Sequence, residues 1–455
     1  MTAELHTLPA PGAPRRRVAV VGAGIAGMGA AWHLSESAEV TLFEAGSHFG
    51  GHANTVDVTL DGVTHGVDTG FLVFNHATYP RLLRLFEQLE VPTAASDMSF
   101  SVQVPSTGLE WSGSSLDTVF AQRRNLFSGR FLGMLRDLMR FNRLTTAIAE
   151  RQAEHELAQP LGEFLRAQGF GEAFRDWYLL PMLGCIWSCP TDQMLAFPVA
   201  TMIRFCHNHG LIRVANRPQW HTVRGGSREY VRRLLPRIAH TRLNTPVLAV
   251  ERVPPTTGHA GVWVTTAAGR ERFDEVVLAT HTDRSLALLG AQATAEERAV
   301  LGAIRYQTNR AVLHTDRGAL PQREKAWAAW NYERAPGLAQ EQSAVCLHYL
   351  INRLQPLPWQ RPVVVSMNPV RPIDPACVLA EFEYDHPVFD LTAIAAQARV
   401  PALQGQAHVW FAGAWCGYGF HEDGLRAGMD VATAMQARWQ LSDAAAAASL
   451  APRAA

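Results

Sequence analysis

The chain has 455 residues, 47% of them apolar, which is enough for a large core and two domains. Its formal net charge is zero, so there is no electrostatic case for nucleic acid as a partner. Six scattered cysteines without a disulfide-framework spacing fit a reducing cytosol, and no apolar run approaches the length of a membrane span.

The opening MTAELHTLPAPGAPRRR is polar and Pro-rich with no apolar stretch behind its arginines, unlike a signal peptide. Val18-Ala-Val-Val21 then reads as a buried strand, followed by Gly22-Ala-Gly24-Ile25-Ala26-Gly27 and the helical MGAAWHLSES. This is G-x-G-x-x-G between a strand and a helix. The first glycine makes a tight turn, the second lets the backbone approach a pyrophosphate, and the third lets helix and strand pack closely. The phosphates would meet the positive end of the helix dipole. A second strand, EVTLFEA, ends in Glu44 and Ala45, about 20 residues on, where an acid can accept a ribose hydroxyl. The loop AGSHFGGHANT follows, with Gly50, Gly51 and His52. A simple nicotinamide-binding domain has no need for paired glycines there. A longer dinucleotide lying extended across the domain does.

Downstream, YPRLLRLFEQL, the stretch around 116–150, PLGEFLRAQG and AFRDWYLLPMLGCIW read as helices. Residues 123–143 carry six arginines and one acid, and Phe127, Phe131, Leu135, Leu138 and Phe141 recur at helical spacing. The expectation is a domain helix with its apolar side on the core. The composition also suits peripheral contact with a membrane interface. Cys185 and Cys189 read as core or pocket-lining residues, since a C-x-x-x-C spacing is not that of a redox-active pair. In Phe205-Cys206-His207-Asn208-His209 the two histidines are i,i+2 and share no helix face, so no metal site is expected. The runs AVLHTD, AVCLHYLI and PVVVSMN read as strands of a mixed sheet. A second G-x-G-x-x-G after a strand is absent, which leaves no sign of a separate NAD(P)H domain. Near the end, GAWCGYGFHEDG crowds glycines between the strand-like HVWFAG and the helical LRAGMDVATAMQARW. Such a junction lets a backbone approach something closely.

Taken in order, these pieces resemble the flavoprotein superfamily of amine oxidases, phytoene desaturases and protoporphyrinogen oxidases. The resemblance covers both ends and the middle of the chain. Val67-Asp68-Thr69-Gly70-Phe71 is similar to the family's D-x-G segment near the flavin. Arg224-Gly225-Gly226-Ser227 is similar to the return into the FAD domain, Thr245-Pro246-Val247 to the strand whose Val backbone contacts adenine, and the strand ending at Thr280 to the one closing that domain. His48 stands near the place of the family's arginine before the Gly-Gly pair.

The resemblance implies an α/β fold with a Rossmann-type FAD-binding domain (ββα-extended, split in sequence) and an α+β substrate domain. Residues 1–75, 215–300 and 403–440 would form the first, 76–214 and 301–402 the second, and 441–455 a flexible tail. FAD, held non-covalently, would touch Gly22, Gly24, Ile25, Ala26, Gly27, Glu44, Ala45, Gly50, Gly51, His52, Asp68, Thr69, Gly70, Val247, Thr280, Gly413, Gly417, Gly419, Phe420, Gly424 and Leu425. Gly417 and Gly419 would give the isoalloxazine room, and the helix starting near Glu422 to Leu425 would aim its amides at the N1/O2 edge, where reduced flavin carries negative charge.

For amines the family often uses a lysine near N5. Arg310 lines up with that lysine, and Lys325, the chain's only lysine, lies downstream. An arginine stays protonated and cannot play the same acid–base part. The combination DTGFLVFN, YQTNRAVLHTD, KAWAAWNY and GYGFHEDGL is most similar to bacterial FAD-binding proteins related to desaturases of methyl-branched fatty acyl chains in furan fatty acid synthesis. That implies dehydrogenation of an acyl chain, free or phospholipid-linked, by a cytoplasmic enzyme that can sit on the inner face of the membrane. His421 and Glu422 are the candidate bases and Tyr418 a positioning group. His421 could equally cap the helix or bond the cofactor. The alternatives are an amine oxidase, a carotenoid or terpenoid desaturase or isomerase, and an FAD-stabilised scaffold that delivers lipid without catalysis.

Overall fold

A computed structural model describes residues 15–152, 157, 159–187, 190–213, 217–253, 260–335, 337 and 344–450. The chain forms two compact units: residues 1–53, 230–304 and 395–455 in the first, and 54–229 and 305–394 in the second.

The first unit is built on a five-stranded parallel sheet in the order His240–Arg242, Ala38–Phe43, Arg16–Val21, Glu275–Leu278, Val409–Phe411. Its inner strands are the short apolar runs VAVV, VTLF and EVVL, and every residue of each is buried. A parallel sheet covered on both faces demands that continuity rather than alternation. The helix Ile25–Leu34 leaves the first strand through the glycine loop. It packs against the C-terminal helix His421–Leu450 at very short range. A Cβ at Gly29 would stand 2.6 Å from Leu425 Cδ1, one at Gly424 2.8 Å from Ile25 Cγ2, and one at Gly428 would strike Ala26 O. The glycines of these two helices are therefore packing devices as well as turn formers. A three-stranded antiparallel sheet, Val247–Arg252, Val262–Thr266 and Gly269–Phe273, completes the unit.

The second unit carries a seven-stranded mixed sheet, ordered Val378–Val388, Arg305–His314, Val364–Met367, Cys346–Leu350, Trp330–Glu333, Phe100–Val104, Leu109–Ser112. Only the Trp330–Glu333 and Phe100–Val104 pair is parallel. Helices between residues 116 and 208 form its helical part. Trp177, Tyr178, Leu179, Leu180, Leu183, Cys185 and Trp187 are all buried there, so AFRDWYLLPMLGCIW is a core stretch. Cys189 lies outside the described residues.

Three sequence expectations differ from this architecture. The first boundary falls at residue 53 rather than 75, and the return at 230 rather than 215. The hairpin Thr55–Leu60/Val63–Asp68 is tied to residues 227 and 228: Ser227 N–H donates to Asp68, and Arg228 N–H to Thr55 Oγ1. The supposed tail from 441 continues as helix to Leu450, because an alanine run propagates a helix already started; residues 451–455 lie outside the described ones. Finally, Phe127 is not part of the helical stripe. It sits in a 3-10 turn, Arg123–Phe127, ahead of the helix Gly129–Glu150, and is 90% exposed while Phe131 and Phe141 are buried. Among the described residues no helix is long and apolar enough to cross a membrane.

Candidate active site

In an open parallel sheet, ligands bind beyond the carboxyl ends of the strands. In the first unit those ends are where the sequence places its glycines and acid. Gly22 follows the first strand, Glu44 the second, Thr280 the fourth and Gly413 the fifth, and Thr245 follows His240–Arg242.

The glycines of the first turn have separate duties. Gly22 has a left-handed φ of 99°, donates its N–H to Phe43 O at 2.9 Å, and a Cβ there would stand 2.6 Å from Ala279 O. A Cβ on Gly27 would collide with Gly22 O. Gly24 is different: a Cβ there would meet nothing within 4 Å. It is the N-cap of the helix, without a side-chain cap, and the first amide bonded back to it is that of Met28. The turn therefore ends in open space, faced by the helix's first amides and its positive dipole end. Gly50 and Gly51, at φ 123° and 58°, lie alongside; Gly50 N–H donates to Ala23 O at 2.9 Å, and a Cβ on Gly51 would stand 3.1 Å from Gly24 Cα. A cradle that only glycine permits, with an uncapped helix end, is suited to a diphosphate.

Glu44 closes the other end of this cradle. Its carboxylate accepts from Ala23 N at 2.8 Å and from Gly46 N at 2.7 Å. Each oxygen keeps a lone pair for a hydroxyl. Thr245 N–H donates to Glu44 O at 2.8 Å, which brings Val247 and exposed Ala45 to the same end. His48 is exposed and bonds Gly51 O at 3.3 Å.

The GAWCGYGFHEDG junction is held by residues that sequence reasoning did not single out. Asp423 accepts the N–H groups of Tyr418 at 3.0 Å and Phe420 at 3.1 Å on one oxygen, and Arg426 at 2.7 Å on the other. Gln397 donates to the carbonyls of Trp415 and Gly417, both at 2.7 Å, and Trp415 Nε1 donates to Thr280 O at 3.2 Å. Gly419 takes a left-handed φ of 92°. Gly417 is required by the loop itself, since a Cβ there would strike the Asp423 carboxylate. The helix begins at His421, so Gly424 and Leu425 sit one turn inside it: Gly424 N–H already donates to Phe420 O, and the Leu425 side chain is fully buried against Gly29. The amides at the helix mouth are those of His421, Glu422 and Asp423.

His421 bonds the Tyr230 hydroxyl through Nε2 at 2.8 Å, with the rings edge-on at 5.9 Å. When Tyr230 donates, the imidazole carries its proton on Nδ1. Desolvation, helped by nearby His52, lowers the His421 pKa to about 3, so the ring is neutral at ordinary pH. Glu422 is buried in the same turn, and Tyr418 and Phe420 are half-buried. Cys416 is an inert thiol, its pKa pushed up by burial to about 12.

Within the second unit, Asp68 is fully enclosed. It accepts from Ser227 N and Oγ, Thr55 Oγ1 and Gln355 Nε2, and burial raises its pKa to about 6 against these donors. Thr69 bonds the Tyr384 hydroxyl at 2.7 Å, and Gly70 is half-buried. Arg310 points outward and grips Glu381 with two hydrogen bonds of 2.9 and 3.0 Å. Lys325 is exposed and bonds Asp117 at 3.1 Å. His209 stacks on Phe205 and bonds its carbonyl, a packed core histidine.

One group of metal-capable side chains escaped the sequence reading: Glu333, Cys346 and His348, buried together on adjacent strands. Glu333 is held by two hydrogen bonds from Arg371, and His348 Nε2 lies 3.0 Å from Glu333 and 3.4 Å from Cys346 Sγ. Its Nδ1 bonds Ser366, which bonds His314.

Residues 25–326 match the family described as flavin containing amine oxidoreductase. No curated protein matches the sequence. The fold is that of several solved structures. A CLA-producing fatty acid isomerase from P. acnes superposes with a TM-score of 0.65 at 15% identity, covering 92% of this chain and 98% of that one. Cyclohexylamine oxidase from Brevibacterium oxydans IH-35A gives 0.65 at 16% identity, over 94% and 100%. Putrescine oxidase bound to putrescine gives 0.62 at 17%, over 93% and 99%. A glycine cradle at the strand ends and a family match across most of the chain lead to one statement: this chain belongs to the flavin-containing amine oxidoreductases and is an FAD-dependent oxidoreductase.

Proposed function

We propose that the enzyme dehydrogenates a lipophilic substrate, a methyl-branched fatty acyl chain that is free or phospholipid-linked, to give a desaturated product. FAD, when bound, supplies the two-electron acceptor that takes a hydride from carbon. The diphosphate would rest on the Gly22–Gly27 turn with Gly50 and Gly51, a ribose on Glu44, and the flavin end near Gly413–Phe420. The chain's own task is to orient the acyl carbon, exclude water and take the accompanying proton from the neighbouring carbon. His421 is the base of this reading: neutral, at the mouth of a helix, and carrying its lone pair on Nδ1 for the substrate proton when Nε2–H donates to the Tyr230 oxygen at 2.8 Å. Glu422 and Tyr418 flank it.

The observation that carries the choice of substrate class is the position of the cations. The single lysine is an exposed partner of Asp117, and Arg310 is committed to Glu381. The lysine-assisted chemistry common among the amine oxidases thus lacks its residue, and a neutral imidazole is offered instead. That a protein of this fold is a fatty acid isomerase supports an acyl substrate as one the fold accommodates.

The test is anaerobic mixing of the holoenzyme with branched acyl phospholipids, a carotenoid precursor and simple amines, following the flavin band. Bleaching by the branched acyl lipid, with one new carbon–carbon double bond in the product, is the expected result. Bleaching by an amine alone, or by the carotenoid precursor alone, overturns it. Tight lipid binding without any reduction would make the protein a carrier instead.

A further inference from the structure

The helix Gly129–Glu150 has one buried apolar face and an outer face on which apolar side chains alternate with arginines. Phe131, Met134, Phe141 and Thr145 lie on the buried one. On the opposite side Leu132, Arg136, Met139 and Arg143 follow at i, i+4, i+7 and i+11, and all four are exposed, Leu132 by 43% and Met139 by 56%. At the head of this helix the preceding turns add Leu116, 80% exposed, Leu126 at 44% and Phe127 at 90%. Phe120 packs against Phe131 at 5.9 Å, which fixes these turns onto the helix. A core helix needs one apolar stripe. The exposed apolar side chains are unexplained by folding.

The charges of the region fit an occupant. From 116 to 143 the sequence has six arginines and only two acids, in a chain whose net charge is zero. Neither acid is presented outward as a net charge. Asp117 is paired with Arg123 and with Lys325, and Asp137 is buried, accepting Gly171 N–H at 2.9 Å. Arg140 is turned inward onto the carbonyls of Gln168 and Gly169, and Arg130 lies over the Trp177 ring. On the outer face Arg136, its side chain 82% exposed and its Nε 3.9 Å from Asp137, stands between Leu132 and Met139, and Arg143, which has no ion-pair partner among the described residues, follows one turn beyond Met139.

From this placement we infer that the surface formed by residues 116–143 docks on an anionic lipid membrane, with Leu116, Phe127, Leu132 and Met139 entering the headgroup–acyl boundary and Arg136 and Arg143 meeting lipid phosphates. Exposed rings and aliphatic chains interleaved with cations are what an interfacial helix requires. The contact is peripheral, since no described helix can span. The surface stands on exposure and charge, so straight-chain lipids suffice to test it, and failure of the acyl-chain reading leaves it intact.

The experiment is co-sedimentation of the FAD-loaded protein with vesicles of phosphatidylcholine alone and of phosphatidylcholine mixed with phosphatidylglycerol, at low and high salt. Binding should favour the anionic vesicles and fall as salt rises. Phe127→Ser with Leu116→Ser should weaken it about tenfold or more, from the loss of buried apolar area. Arg136→Ser with Arg143→Ser should weaken it roughly tenfold or more at low salt. All four positions are exposed, and an unchanged flavin spectrum and Tm will show that the variants fold. Equal binding to neutral and anionic vesicles, or variants that bind like the parent, would overturn the inference. So would a dimer in sedimentation velocity that Phe127→Ser dissociates while no vesicle is bound, because the patch would then join two copies of the chain.

Discussion

His421 is half-buried and His348 fully buried, and their pKa values are pushed in opposite directions. His421 is lowered to about 3 by desolvation, with a smaller contribution from His52. His348 would also be lowered by burial alone, yet the acidic neighbours Cys346 and Glu333 raise it to about 9. Around His348 the side chains satisfy one another in a closed chain: Arg371 on Glu333, Glu333 on His348, Ser366 between His348 and His314. In the unit that holds His421, the turn before the helix Ile25–Leu34 stays open: a Cβ on Gly24 would meet nothing within 4 Å, and that helix has no side-chain cap. Both regions gather residue types that do chemistry. A network whose donors and acceptors are paired internally serves the fold. One whose backbone donors face open space awaits a ligand.

The largest expected effect separates these roles inside the cradle. Gly24→Val should give folded protein without flavin, since a Cβ there meets nothing within 4 Å and the side chain would enter the open end of the turn where a diphosphate would rest. Gly27→Ala should lose both flavin and thermal stability, because its Cβ collides with Gly22 O. Flavin content and Tm together check this; a yellow Gly24→Val would break the comparison. Next comes Glu333→Ala in the closed network, which strands Arg371 and His348 and should cost about 3–5 kcal/mol of stability, read by denaturant titration. Its flavin content, once folded, should be normal. His421→Ala should retain FAD and slow anaerobic flavin reduction by about a hundredfold, whereas Tyr230→Phe should slow it less. Asp423→Asn replaces one acceptor oxygen of the Tyr418–Phe420 loop and should cost about 1–2 kcal/mol, with weaker FAD retention.

The open region was the more legible of the two in the sequence. Gly22, Gly24, Gly27 and Glu44 announce themselves because strand, turn and helix are contiguous, so local order alone defines the motif. Gln397 and Tyr230 were missed because their partners lie elsewhere in the chain, the Tyr230–His421 bond spanning 191 residues. Asp423 was missed although its partners Tyr418, Phe420 and Arg426 lie within five residues, because only the folded loop turns their donors onto its carboxylate. Glu333, Cys346 and His348 were hidden for a related reason. Only the strand register sets Glu333 opposite Cys346 and His348 opposite Ser366. Phe127 misled in the other direction: its spacing continues a helical stripe, but a 3-10 turn before Ser128 takes it off the helix. The segment 54–75 sits with the second unit because Asp68 finds its donors in Ser227, Thr55 and Gln355 rather than in the parallel sheet.

The subtlest effect should appear in the pH dependence of stability, and its sign differs between the two histidines. A histidine raised in the folded state, as His348 is, contributes stability that is fully present below its unfolded value near 6.5 and is lost as pH rises towards and through about 9. A histidine lowered in the folded state, as His421 is, binds fewer protons folded than unfolded between about 3 and 6.5, so stability declines as pH falls through that window. His209 and His314, both lowered to about 4, act in the same acid direction. Glu333, held below the usual carboxylate range by His348 and Arg371 in spite of its burial, adds stability above about 4.5 that is lost at lower pH. Thermal unfolding measured across pH should therefore fall on both sides of neutrality. His348→Gln should flatten the alkaline side and, by removing one of the partners that hold Glu333 down, also soften the acid side, while His421→Gln should soften the acid side alone. An alkaline limb unchanged in His348→Gln would mean that the imidazole is neutral in its pocket, and the contrast between the closed and the open region would lose its electrostatic basis.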